Sequence, residues 1–260
     1  MSITLESISK GKAVRAPRII LLGVEKVGKS TFASSSDNPI FIPIKSEEGI
    51  DDLDVAKFPT CKSHRSVIEC LGSLYTEDHD YQTVVIDSAS ALEPLIWDET
   101  CRANGGIDSI EKVGGGYGKG YTEALKQWRA IMDGLDALRE HKNMASILIG
   151  HVKVKAFNDP TGDSYDRYWF DCNDKAVNML FRWADSILFC NTKTHVKKED
   201  TGFGKTKKKA VDVGNGQRFL YTQQRPAHPG GGRGAYGKIP YELPLDWNTF
   251  VQAVTEASQS

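Results

Sequence analysis

Arg18-Ile19-Ile20-Leu21-Leu22-Gly23-Val24-Glu25-Lys26-Val27-Gly28-Lys29-Ser30-Thr31 is the stretch whose reading decides the fold. Its first half is an unbroken apolar run, the pattern of a central strand buried on both faces. Its second half fits G-x-x-x-x-G-K-S/T, with the strand before it and a helix after it that a phosphate-binding loop requires. Gly23 and Gly28 permit positive φ, so that successive N–H groups can converge on phosphate oxygens. The helix predicted to open at Lys29 and to stop before Asp37-Asn38-Pro39 adds the partial positive charge of its N-terminus. Lys29 is expected to reach the β- and γ-phosphates and Ser30 to hold Mg²⁺ through its hydroxyl. Gly23, Val24, Glu25, Lys26, Val27, Gly28, Lys29, Ser30 and Thr31 are therefore the candidate cofactor-binding set, for ATP with Mg²⁺. Gly204-Lys205-Thr206 is a useful contrast: five positions earlier stands Glu199, no apolar run leads into it, and it reads as a polar loop.

Outward from this loop, strands alternate with helices. Ile40-Phe41-Ile42-Pro43-Ile44, Thr83-Val84-Val85-Ile86-Asp87 and Ala145-Ser146-Ile147-Leu148-Ile149-Gly150 read as further buried strands. His64 to Leu74 is helical in pattern. Beyond a glycine-rich stretch from Gly105 to Gly120, residues Ala124, Leu125, Trp128, Ile131, Met132, Leu135 and Leu138 recur at the spacing of one helical face. Such alternation predicts an α/β fold with parallel βαβ units and helices on both faces of the sheet. Ser186-Ile187-Leu188-Phe189 and Gln217-Arg218-Phe219-Leu220-Tyr221, joined by a Lys-rich loop, predict a hairpin-like antiparallel extension. Leu245 to Ala257 predicts a short docking helix. With no internal repeat and no interdomain linker, residues 1–260 are expected to form one domain, its core about 18–190 and its C-terminal hairpin and tail 191–260.

The composition, 40% hydrophobic and 26% charged, is that of an ordinary globular protein. A net charge of −1 provides no overall basic field, so any nucleic-acid contact must come from local clusters. The sequence has no signal peptide pattern and no apolar run near the roughly 20 residues of a membrane span, and a cytoplasmic location without membrane contact is the expectation. The five cysteines are odd in number and scattered, which suits reduced thiols. Cys61, His64 and Cys70 lack a fourth metal ligand, and Cys70 falls in an apolar helical pattern, so it reads as core.

Acids and one imidazole stand at the ends of the predicted strands. Asp87 ends one and is the candidate second Mg²⁺ ligand beside Ser30. Glu47 and Glu48 follow another and are candidates for orienting or deprotonating water. His151 follows Gly150, where a polar group can bond the γ-phosphate and report its loss to the next loop. Lys29, Glu47, Asp87 and His151 form the candidate catalytic set.

In that order the four elements resemble the RecA-type ATPase core, over roughly Arg18 to Phe189. Glu47-Glu48-Gly49-Ile50-Asp51 resembles the segment carrying that family's glutamate, which favours Glu47 over Glu48, and Val85-Ile86-Asp87-Ser88 resembles its second nucleotide motif. Glu47 to Leu53, Tyr165-Asp166-Arg167-Tyr168, Gln224-Arg225-Pro226 and Leu243-Pro244-Leu245-Asp246-Trp247 further resemble the short phage-encoded RecA-core ATPases associated with single-strand annealing. His151 departs from the glutamine or asparagine usual there.

That resemblance implies ATP-dependent assembly on single-stranded DNA as a head-to-tail ring or filament, in the host cytoplasm, alongside a single-strand binding protein. Two stretches would touch the strand: Glu111 to Tyr121, with Lys112, Tyr117 and Lys119, and Lys153 to Cys172, with Lys153, Lys155, Arg167 and Tyr168. Both combine cations for phosphates with rings for stacking. Arg218, Arg225 and Lys238 are the candidates for a cation offered to a neighbour's γ-phosphate. The Lys-rich segment from Lys193 to Lys209 reads as a solvated tip or an auxiliary phosphate-binding loop. The competing readings are a helicase or loader of the same fold, a small-molecule kinase, and an ATP-dependent protein switch.

Overall fold

A computed structural model describes residues 4–8, 10–11, 15–47, 49–200, 206–212 and 216–259. Its centre is a nine-stranded sheet. Strand β1 (Arg18–Gly23) runs into helix α1 (Lys29–Ser34), and β2 (Pro39–Pro43) and the two-residue β3 (Ala56–Lys57) follow. Next come α2 (His64–Thr76), β4 (Thr83–Asp87), α3 (Ala89–Ala103), the short α4 (Lys119–Glu123), α5 (Leu125–His141) and β5 (Ala145–Gly150). A hairpin of β6 (Val152–Phe157) and β7 (Tyr165–Phe170) leads to α6 (Asp174–Trp183) and β8 (Ser186–Thr192). The remainder is β9 (Thr194–Asp200), β10 (Thr206–Asp212), β11 (Arg218–Tyr221), β12 (Gly231–Gly232), β13 (Glu242–Pro244) and α7 (Trp247–Gln259).

Across the sheet the order is β13-β11-β8-β1-β5-β4-β2-β3, with β12 also paired to β8. From β8 to β3 neighbouring strands are parallel, whereas β11, β12 and β13 pair antiparallel. Buried parallel strands explain the apolar runs: Ile19 to Leu22 are all 0% exposed, because layers cover both faces. Alternate residues feed two cores. Ile20, Leu22, Ile42, Ile86 and Leu148 pack with α2, α3, α5 and α6 on one face. Ile19, Leu21, Phe41, Val85 and Ile147 pack with Phe32 of α1 and with Trp247 and Phe250 of α7 on the other. The expected docking helix is α7, whose Trp247 ring meets Phe32 edge-on at 5.3 Å.

Several expectations need correction. The strand at Ser186 does pair antiparallel with the strand at Arg218, as β8 and β11, but β8 also lies parallel beside β1 and is therefore part of the main sheet rather than of a separate extension. Helices α3 and α6 are absent from the periodicity read above. Pro94 stands inside α3, and α6 is a ten-residue helix capped by Asn173, whose side chain accepts the Lys175 N–H. The stretch from Lys153 to Cys172, which contributed no strand to the alternation above, is built on the β6–β7 hairpin. Of the Lys-rich segment, 201–205 lie outside the described residues, and β9 and β10 pair as a separate antiparallel ribbon. Among the described residues no helix is long and apolar enough to cross a membrane.

At the end of β1 remote from the loop, Asp185 gathers Arg18 (3.1 Å) and Arg139 (3.0 Å) and also accepts the Arg18 main-chain N–H. This largely buried cluster ties β1, α5 and β8 together.

Candidate nucleotide site

The loop after β1 is shaped by three positions. Gly23 is the last residue of β1 and does not have the positive φ expected of it. It is required instead by close approach, since a Cβ there would lie 2.7 Å from the Cys190 carbonyl oxygen. The left-handed turns fall at Lys26 (φ 57°) and Gly28 (φ 102°). Gly28 is the N-terminal cap of α1, so the loop's amides and the helix's first turn face the same cleft.

That cleft holds about 560 Å³ and is lined by Lys29, Ser30, Thr31, Glu47, Asp87, His151 and Arg218 among others. Lys29 is buried, its ammonium folded back onto the carbonyl oxygens of Gly23 (3.1 Å) and Val24 (2.9 Å). Burial lowers its pKa, and the nearby Cys190, Asp87 and Glu47 oppose that. A buried ammonium held only by carbonyls, with no carboxylate in contact, is prepared for an anion. Ser30 Oγ donates to Asp87 Oδ2 at 2.7 Å, placing two hard oxygen donors side by side as Mg²⁺ requires. Burial pushes the Asp87 carboxyl up, more than the Ser30 bond pulls it down. The donor set, the amide cradle and the room in the cleft all fit a nucleoside triphosphate with Mg²⁺.

Asp87 reaches Ser30 although its strand is not next to β1: β5 lies between them. This intercalation also brings His151, the residue after β5, to the centre of the cleft. Glu47, in the turn after β2, accepts two bonds on the same oxygen. Ser88 Oγ donates to Oε1 at 2.5 Å, and His151 Nε2 lies 2.9 Å from Oε1. A carboxylate accepts only, so Nε2 carries the proton. His151 Nδ1 is buried without a partner. Burial raises the Glu47 carboxyl, but the bonds from His151 and Ser88 outweigh it and the net shift is downward, which keeps the group ionised near neutrality. The second oxygen, Oε2, is left for water.

His151 is held from three directions. Its N–H donates to Ser90 Oγ (3.1 Å), its ring meets Glu47, and its carbonyl accepts the Asp171 N–H (2.9 Å) at the far end of the β6–β7 hairpin. In the sequence Ser88 stands out only as the end of the stretch that resembles a second nucleotide motif, and Ser90 not at all. Ser88 is the cap of α3, accepting the Ala91 N–H (3.1 Å), and nothing local marks its second bond.

The remaining predicted residues are scattered. Glu48 lies outside the described residues. Lys153, Lys155 and Arg167 share one face of the β6–β7 hairpin with Phe157, Tyr165 and Trp169, as the cross-strand register requires. Tyr168 is on the opposite face, its ring 5.3 Å from Phe189 and its N–H given to Ala227. Lys112 pairs with Asp108, and Tyr117 is 100% exposed with φ 53°. Tyr121 packs edge-on against Trp97 inside the fold. Arg225 stacks on Tyr241 in its own chain (4.3 Å), and Arg218 lines its own chain's cleft. Cys61 and Cys70 are buried with their sulfurs 3.6 Å apart, and no metal-binding cluster occurs among the described residues.

Fold and cleft together define a P-loop nucleotide-binding protein built on a mostly parallel sheet. The chain belongs to the AAA domain family, whose model matches residues 15–234. A crystal structure of the RadB recombinase is similar, with a TM-score of 0.40 and 16% identity, covering 69% of this chain and 77% of that one. No curated protein matches the sequence.

Proposed function

We propose that this chain is an ATP-hydrolysing RecA-like protein, one unit from end to end, acting on single-stranded DNA in phage recombination or strand annealing. The observation that carries the reading is the joint at His151. One bond links it to Glu47, and the next residue opens the β6–β7 hairpin. That hairpin presents three cations and three rings on one face, the chemistry of a sequence-tolerant single-strand platform. Arg167 lies over Phe157 (3.8 Å) and Trp169 (4.0 Å), which holds the guanidinium flat beside the rings. Lys153 and Lys155 are ion-paired with Asp171 and Asp174, and a phosphate backbone would compete for them. Tyr117, exposed at a loop tip, offers a further stacking surface.

In the hydrolytic step Glu47 Oε2 takes a proton from water, while Ser88 and His151 hold the other oxygen still. Lys29 neutralises charge on the transferred phosphoryl group, and Ser30 with Asp87 would hold Mg²⁺, which supplies the Lewis acid when bound. A strand pulling on the hairpin moves His151 and so re-aims Glu47, which makes turnover depend on DNA. The phage setting rests on the resemblance at Glu47 to Leu53 and at the C-terminal motifs. Head-to-tail assembly rests on the same resemblance, with Arg225 and Lys238 the cations left to act on a neighbour.

ATP hydrolysis with and without single-stranded DNA, for the parent, Lys29→Ala and Arg167→Ala, tests this. Lys29→Ala is expected to abolish turnover. Arg167→Ala is expected to keep basal turnover and lose most of the stimulation. Turnover indifferent to DNA in the parent would leave an ATPase and remove the strand from the reading.

A further inference from the structure

Arg218 is the first residue of β11, which pairs antiparallel with β8, the strand beside β1. Its Nη1 lies 3.4 Å from the Val27 carbonyl oxygen, a long contact, and Arg218 has no ion-pair partner among the described residues. The guanidinium rests on the loop because Gly28 has no side chain: a Cβ there would be 2.6 Å from Nη1. Arg218 also forms the shared wall between the nucleotide cleft and a second cleft of about 370 Å³, which Gln217, Phe219, Pro244 and Leu245 line. The sheet order gives these clefts a polarity. Glu47, Asp87 and His151 arrive from β2, β4 and β5, all on one side of β1, and there they would hold the metal and the terminal phosphate. Strands β8, β11 and β13 lie on the other side, so Arg218 faces the opposite end of a triphosphate laid across the loop.

We infer that Arg218 and this second cleft form the nucleoside side of the ATP site within the same chain. The guanidinium exchanges the weak Val27 contact for an oxygen of the α- or β-phosphate. The ribose and base then enter between Gln217, Phe219, Pro244 and Leu245, where apolar atoms cover a ring and the Gln217 amide can bond its edge. A planar fork with free donors suits a phosphate oxygen better than a lysine does. This assignment removes Arg218 from the cations available to a neighbouring subunit, and it rests on the reading of the P-loop as an ATP site.

Calorimetric titration of the purified chain with MgATP, MgADP and inorganic tripolyphosphate, for the parent, Arg218→Ala, Arg218→Lys and Lys29→Ala, separates the possibilities. Arg218→Ala is expected to weaken all three ligands by about tenfold, the scale of one charged hydrogen bond, and Arg218→Lys to recover part of the loss. The loss must persist at protein concentrations where sedimentation finds monomer. A defect seen only in the assembled protein, and repaired by mixing with Lys29→Ala chains that still carry Arg218, would place the arginine in a neighbour's site and overturn the inference. So would an Arg218→Ala protein that binds as the parent does. Photolabelling with 8-azido-ATP, mapped by mass spectrometry, is expected to mark the peptides holding Gln217 to Phe219 or Pro244 to Leu245. Labelling elsewhere alone would exclude the second cleft. If the parent fails to bind MgATP, or Lys29→Ala binds it equally well, the P-loop reading itself has failed and not Arg218.

Discussion

A carboxylate that must accept a proton from water needs to be ionised, aimed and half free, and Glu47 meets these three conditions by separate means. Ionisation comes from the His151 and Ser88 bonds, which win over burial. Aim comes from both bonds sharing Oε1, which fixes the plane and leaves Oε2 open. Glu47→Gln keeps an oxygen for both donors and removes the basicity. Its turnover should fall by about 10²–10⁴-fold, the usual contribution of a general base, with ATP affinity near the parent's. Single-turnover hydrolysis and a binding titration read the two quantities apart, and unchanged hydrolysis would move the role to another group. Glu47 was legible as an acid after a strand. That it is latched was not, because the latch joins residues 104 positions apart.

Between elements, Glu93 links α3 to the start of α6. Both its oxygens accept the Asn173 N–H at 2.9 Å, and the side chain is buried. Burial raises the carboxyl to about 7, against a partial offset from the Asn173 bond. The unfolded chain loses this proton near pH 4.5 while the folded chain keeps it to about 7. The unfolded state therefore binds fewer protons in that window, and stability falls as pH rises through it. Raising the carboxyl to about 7 amounts to about 3 kcal/mol, the penalty being complete above the folded pKa. Glu93→Gln should keep the bond and flatten this part of the profile in urea unfolding between pH 4.5 and 7.5. An equal slope in parent and variant would mean that Glu93 titrates normally. Hairpin β6–β7 teaches a related lesson about legibility. Its cations and rings stand out in the sequence, yet only the cross-strand register separates Arg167 and Trp169 on one face from Tyr168 on the other.

At the scale of the whole molecule, the sheet has a working end and an anchoring end. The P-loop, Glu47, Asp87 and His151 follow the C-terminal ends of parallel strands, where open α/β sheets place their ligands. The Asp185 cluster lies at the opposite end and joins β1, α5 and β8. Asp185→Ala would leave Arg18 and Arg139, each 14% exposed, without their shared partner. Loss of one partner from a buried pair costs about 3–5 kcal/mol. Urea unfolding should show a loss of that size, with the affinity for MgATP of the remaining folded protein unchanged. A variant as stable as the parent would mean that water takes over the role of the carboxylate.

The sequence by itself determined the phosphate-binding loop, the buried parallel strands and the acids at their tips. These are local patterns: a run of apolar residues, or a glycine and a lysine at fixed spacing, constrains the backbone within a few positions. The tertiary structure alone decided that β5 enters between β1 and β4, that Ser88 and His151 meet on one oxygen of Glu47, and that Arg218 lies against its own chain's loop. Those contacts span 41, 104 and 191 positions. They arise from the order in which strands pair, and strand order depends on how whole layers pack, which no short stretch of residues encodes.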